Sequence, residues 1–299
     1  MKKILIIATP LLLILFLIFP SKKDAITQED KIFIKSSAIK KEKPNQLEIP
    51  QKEEVVENKV RHEKEVEEIL AATNLWDDLK SIDGLMENRL DMAREILPPE
   101  EYEKLEKTIQ ENFSGSKFAE VVKNHLAQNL TDEDLAELKK LTDDPFLKKV
   151  WEMQGKATSI EGEKEIAEFA KEFKPSPERE KLMKEYEEQA QTTSKMLDLN
   201  KEFIAGMLRS SSTKHITNDK LETLSQGIAE KIKPYLEKDV LNHLYYNYQD
   251  LSDQELKTLK QIDQNTTLTK TERLIHEKVR ELMYRGGREV GKLHKGSRI

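Results

Sequence analysis

The sequence predicts an all-α fold: two similar multi-helix units that follow an N-terminal hydrophobic helix and a flexible linker. Three observations predict it. The chain has 299 residues, 35% of them charged and only 10 of them Gly. Lys, Glu and Leu are abundant, and straight side chains lose little freedom in a helix. From about residue 54 onward, apolar residues recur at spacings of three and four, the period of one helix face. The longest apolar run is confined to Ile4–Phe19, interrupted only by Thr9 and Pro10.

That run opens the chain. Met1, Lys2 and Lys3 precede it, giving the charged n-region and apolar h-region of a secretory signal. Sixteen helical residues span about 24 Å, short of a hydrocarbon core of about 30 Å. Signal peptidase needs small residues at −3 and −1. A cut after Ser21 places Phe19 at −3, and a cut after Ala25 places Lys23 there. Neither is favourable, so residues 1–21 read as a retained signal anchor, with a cleaved signal peptide as the alternative. Lys2 and Lys3 then stay cytoplasmic, although Lys22 and Lys23 on the far side weaken the bias. The absence of Cys removes a lipoprotein anchor. The expected location is the bacterial inner membrane, single-pass with a periplasmic body, or the periplasm after cleavage. Residues 22–53, with Pro44 and Pro50 and few apolar residues, read as a flexible linker. Such a coil reaches about 30 Å root-mean-square.

The first helical unit is assigned to 54–173. Val55, Val56, Val60, Val66, Ile69 and Leu70 begin a stripe that Leu75, Trp76, Leu79, Ile82, Leu85, Met86, Leu90 and Ile96 continue. Pro98-Pro99 stops that helix and starts the next, because proline fits a first turn but not a helix interior. Tyr102, Leu105, Ile109 and Phe113 mark a face that closes near Gly115, and Phe118, Val121, Val122, His125 and Leu126 mark another. Thr131, as N-cap, stands three residues before Asp134, an Asp version of the capping box. Pro145 opens a further helix.

The second unit, 174–299, begins at the Pro175-Ser176-Pro177 step. Leu251-Ser252-Asp253-Gln254-Glu255-Leu256 repeats Leu130-Thr131-Asp132-Glu133-Asp134-Leu135 at a distance of 121 residues. Leu259, Lys260 and Ile262 match Leu138, Lys139 and Leu141 at the same offset. Each half reads as a long helix, a break, two shorter helices, a capped helix and a final basic-ended helix. This order implies an internal duplication.

The stretch Thr131–Met153 resembles an uncharacterised all-helical domain of unknown function found in secreted and periplasmic bacterial proteins. Leu130–Leu135 carries its Thr-acidic-acidic step, and Thr142-Asp143-Asp144-Pro145-Phe146-Leu147-Lys148-Lys149 its proline step and Lys-rich helix. The family's Gly in that second part is missing, with Leu147 nearest. The second copy departs further, with Asn265-Thr266-Thr267-Leu268 in place of the proline step. The resemblance covers about 25 residues closely and about 80 loosely per copy. It implies an all-α fold and export, and supplies no catalytic residues.

Motifs for chemistry are lacking. The chain has 6 His, and neither His62-Glu63 nor His276-Glu277 has a second His four positions on, as a metalloprotease needs. Asp263-Gln264-Asn265 begins like a calcium loop but has Leu268 and Leu274 where Gly and Glu belong. Gly286-Gly287 and Gly291 are in no phosphate-loop context, and Ser210–Ser212 form no nucleophile elbow. The net charge of −6 among so many charges argues against nucleic-acid binding. No enzyme activity, cofactor or metal is expected.

Two features suggest an interaction surface. Tyr235, Tyr245, Tyr246 and Tyr248 cluster, and Tyr245 and Tyr248 share a helix face; rigid amphipathic Tyr suits interfaces. The C-terminal end carries Arg285, Arg288, Lys292, Lys295 and Arg298 against Glu289, a basic tail of net +4 suited to anionic headgroups or an acidic partner. The expected function is a membrane-tethered or secreted binding and scaffolding module with a protein partner or client and attachment through the N-terminal helix. A periplasmic foldase or holdase is the alternative, and a hydrolase has no supporting motif.

Overall fold

The computed structural model describes residues 52–73, 97–157, 160–212 and 216–293, with scattered residues of 75–94. The hydrophobic run, all of the linker but its last two residues, and Lys295 and Arg298 lie outside the described residues. Among the described residues every regular element is helical, and no helix is long and apolar enough to cross a membrane.

Among the described residues eleven helices are bounded: α1 (Lys52–Ala72), α2 (Pro99–Asn112), α3 (Gly115–Asn129), α4 (Asp132–Asp143), α5 (Pro145–Ala157), α6 (Ile160–Glu172), α7 (Pro177–Ala190), α8 (Thr192–Ser211), α9 (Asn218–Asn247), α10 (Asp253–Ile262) and α11 (Thr266–Leu293). The described residues of 75–94 are also helical. Local chemistry sets the boundaries. Pro99 and Pro177 stand in first turns. Ser176 and Thr217 cap α7 and α9 by accepting from Arg179 N and Lys220 N. At the α7–α8 joint Gln191 takes φ 53°, the left-handed conformation that ends a helix.

Both expected capping boxes are formed. The Thr131 and Ser252 hydroxyls accept from Asp134 N and Glu255 N, each at 3.2 Å. The acids accept in return from the cap N–H groups, at 2.9 and 2.8 Å. The following helices start alike too. The Asp144 carboxylate accepts from Phe146 N and Leu147 N at 2.8 and 3.1 Å. Asn265 Oδ1 accepts from Thr267 N and Leu268 N at 2.9 and 3.1 Å. Asn265 thus supplies the cap although the proline beside it is replaced by Thr266.

The second half departs from the expected order in two respects. Its long helix is two, α7 and α8, divided at Gln191. Its two shorter helices are a single 30-residue α9 with Pro234 inside it. Proline removes one backbone donor and crowds the preceding turn, but the helix runs on through it.

Among the described residues one large core runs from Val66, Ile69 and Leu70 on α1 to Val279, Met283 and Val290 on α11. Val60, read as part of the α1 stripe, is instead 62% exposed. The 28-residue α11 is central: it packs along α8 and also against α2, α3 and α4. The α8–α11 approach is close because the contact is made by glycines. A Cβ on Gly206 would lie 2.2 Å from Tyr284 O, one on Gly287 2.1 Å from Phe203 O, and one on Gly291 2.3 Å from Met207 O. Small residues let two backbones meet where larger side chains would hold them apart.

Candidate functional site

Helix α9 explains the fate of the tyrosines. Its inward row is Leu221, Ser225, Ala229, Ile232, Leu236, Val240 and Leu244. Tyr245 and Tyr248 extend that row and are core residues, 7% and 1% exposed, so they offer no docking surface. Tyr248 Oη accepts from Gln154 Nε2 at 2.6 Å. Its ring meets Tyr186 edge-on at 5.7 Å, and Tyr186 donates to the Asp263 carboxylate at 2.6 Å. Burial pushes both phenols far above their ordinary value, so they remain protonated. This polar chain ties α5 and α7 to the ends of α9 and α10.

Arg179 closes the same corner. Its guanidinium donates to Leu251 O and the Asp253 carboxylate, both at 2.8 Å, and to Tyr248 O. Tyr246 donates to Glu165, and that hydrogen bond, aided by burial, pushes its phenol up to about 12. Around it, Phe169 stacks on Phe173 at 4.4 Å, Tyr246 meets Phe169 at 5.6 Å, and Tyr245 meets Phe173 at 5.4 Å. These rings seat α6 against α9.

Only Tyr235 of the cluster faces outward. It is 71% exposed, and Leu224 is 39% exposed on the same helix. Half-buried Ile228 lies between them, and the spacing of 224, 228 and 235 places all three on one side. The sequence carries a signal for this face: these apolar positions fall outside the register of the inward row.

The basic end is also resolved differently from a tail. Through Leu293 it is the last part of α11. Gly286, Gly287, Val290 and Gly291 are buried there, with Gly286 against the Phe113 ring. Arg285, Arg288 and Lys292 are brought together on the exposed outer strip of the helix, and Lys292 pairs with Glu289 at 2.6 Å.

Among the described residues two long-range ion pairs join the halves. Lys149 reaches Glu255 at 3.0 Å, and Lys270 reaches Asp134 at 2.5 Å. Each lysine thus meets the acid of the other half's capping box. Hydrogen bonds from the Ser252 N–H and hydroxyl, followed by the one from Lys149, hold the Glu255 carboxyl down at about 2. Asp134 is also held below the usual range, by Lys270 and Thr131 against the opposing effect of burial.

The described histidines are dispersed. His62 contacts Asp132, His276 contacts Asp198 at 3.0 Å, and His243 lies 3.9 Å from Asp239. Among the described residues no three His, Asp or Glu are gathered as a metal site. Comparison with protein-family models, curated proteins and solved structures finds nothing that matches this chain.

Proposed function

We propose that the chain is a tethered or secreted helical binding and scaffolding module made of two similar units, and that it recognises a protein partner through an outward helix face. The two-unit reading is supported by pairs of features 121 positions apart: Thr131 and Ser252, Asp144 and Asn265, Lys149 and Lys270. It is also supported by the reciprocal ion pairs, since each unit repeats both the lysine and the acid it exchanges. Breaks in the first unit then fall where the second has Pro234 within α9 and an unbroken α11. The 25-residue resemblance to a secreted helical domain fits the same reading, and the N-terminal apolar run supports a membrane tether with a periplasmic body.

The observation that carries the binding reading is the outward row Leu224–Ile228–Tyr235. Aromatic residues are enriched at protein interfaces, and tyrosine is among the residues that carry most of the binding energy there. A photocrosslinking residue at position 235 in intact cells is expected to capture a reproducible partner, and Leu224→Glu is expected to abolish the adduct. A crosslinker at exposed Glu103 serves as the control. No adduct at 235, or the same adduct at 103, would refute this face. Fractionation tests the tether separately: full-length protein is expected in the membrane fraction, and a soluble form beginning after residue 21 or 25 would refute retention.

A further inference from the structure

The two halves fasten their first helices differently. In the second half Arg179 on α7 binds the carbonyl of Tyr248 and the carboxylate of Asp253. In the first half the matching acceptors, 121 positions earlier, are Ala127 O and Asp132. Here the donor is a histidine: His62 Nδ1 lies 3.2 Å from Ala127 O, and Nε2 lies 2.7 Å from Asp132 Oδ1. A carbonyl and a carboxylate are both acceptors only, so both contacts are hydrogen bonds only if each ring nitrogen carries a proton. Arg61 Nη2 is 3.4 Å from the same Nε2, a longer contact than the carboxylate. A neutral ring with a bare Nε2 would set a lone pair against Asp132.

We propose that His62 is a proton-dependent latch, which in its doubly protonated form ties α1 to the end of α3 and the start of α4, where the second half uses a permanently charged arginine.

The surrounding charges leave this assignment in place. Arg61, on the same helix, shares Asp132 at 2.5 Å. From α4, Lys139 faces Glu65 and Glu68 at 3.8 Å each. From α3, Lys123 faces Glu67 at 3.8 Å and Glu120 at 2.8 Å. Glu63 is next in sequence. Both lysines are thus turned to carboxylates other than Asp132. Hydrogen bonds from His62 and then Arg61 hold the Asp132 carboxyl below its usual range. Its part of the latch is therefore present above the ordinary carboxylate range and lost as pH falls through the lowered value. The histidine part runs oppositely: it is complete while both ring nitrogens carry protons and is lost when one of them is given up. The latch closes in the window between, and Arg61 keeps the opening partial.

Histidine changes charge between about pH 5 and 8. Hydrogen exchange of the full-length chain in detergent, expressed as protection factors, reads the latch directly. Across that range α1 and residues 130–134 are expected to lose about three- to tenfold in protection, the scale of one surface charge-assisted bond. His62→Arg should abolish the dependence, and His62→Gln should leave protection low at both ends. Arg179→His should transfer the dependence to residues 248–255. Equal pH dependence in wild type and His62→Arg would overturn the proposal. So would full protection at the acid end in His62→Gln. A variant-free measurement is available in the ring ¹⁵N shifts of His62. Loss of its second proton is expected to track loss of α1 protection, and loss of protection without that deprotonation would overturn the latch.

Discussion

Replacing Gly287 by alanine tests whether the α8–α11 approach organises the core. The new Cβ would stand 2.1 Å from Phe203 O, whereas such atoms do not approach within 3.0 Å. The obstruction is backbone on both sides, so no rotamer relieves it, and the helices must part by about 1 Å. A gap of that size forfeits about a quarter to a half of each dispersion well across the contact. Overpacking of this kind costs about 1–3 kcal/mol, against a gain of at most about 1 kcal/mol from alanine's helix propensity. Because neighbouring glycines leave no slack, the net loss should be about 2 kcal/mol. At roughly 2–4 °C per kcal/mol for a body of this size, Tm falls by about 4–8 °C. Gly227→Ala is the internal control, because its Cβ meets nothing within 4 Å on the exposed side of α9. It should gain about 0.5–1 kcal/mol and raise Tm by about 1–4 °C. Thermal unfolding followed by far-ultraviolet circular dichroism reads both. A Gly287→Ala protein as stable as wild type, or two variants that shift in the same direction, would refute the argument.

Three further predictions concern the same body. The Glu255 carboxyl is held at about 2 by Ser252 and Lys149. Its contribution is therefore full above its ordinary value near 4.5 and lost as pH falls through about 2. Denaturant midpoints of wild type and Glu255→Gln should converge over that acid range; a constant offset would contradict the linkage. Tyr248→Phe leaves the Gln154 amide without its buried partner and should cost about 1–3 kcal/mol in urea titration, with part recovered by adding Gln154→Leu. Gly286→Ala should be destabilising because its Cβ would lie 2.1 Å from Phe113 Cζ. Phe113→Leu should lessen that cost, and a double-mutant cycle without coupling would show that the ring is not the obstacle.

The identity of the elements was legible along the chain because helix signals are local. Pro98-Pro99, Thr131 with Asp134, and Ser252 with Glu255 act through neighbours within one turn, so spacing alone announced them. The periodic stripes likewise marked Leu105, Ile109, Leu135 and Leu138 as core. Locality also limits the reading of α9: two shorter helices are expected there, whereas a single helix runs through Pro234 because its flanking turns pack against the core.

The candidate surface was far less legible. Tyr235, Tyr245, Tyr246 and Tyr248 are alike as residues, but Tyr245 and Tyr248 complete the buried row of α9 while Tyr235 faces outward. Which face is buried depends on what packs against it, and a residue type does not encode that. The glycines of the C-terminal end show the same limit. In sequence, Gly286, Gly287 and Gly291 beside Arg and Lys resemble a loose basic tail. In three dimensions α8 and Phe113 lie against them, and their lack of side chains is what lets α11 reach the centre. The sequence by itself determined the all-α class, the helix caps and the repeated spacing, because these rest on contacts a few residues long. Tertiary structure decided which helix faces are covered, how Lys149 and Lys270 exchange acids across the halves, and where His62 stands between two acceptors. Those contacts join residues about 65 to 136 positions apart, whose proximity is set by close packing of the whole core and not by any local pattern.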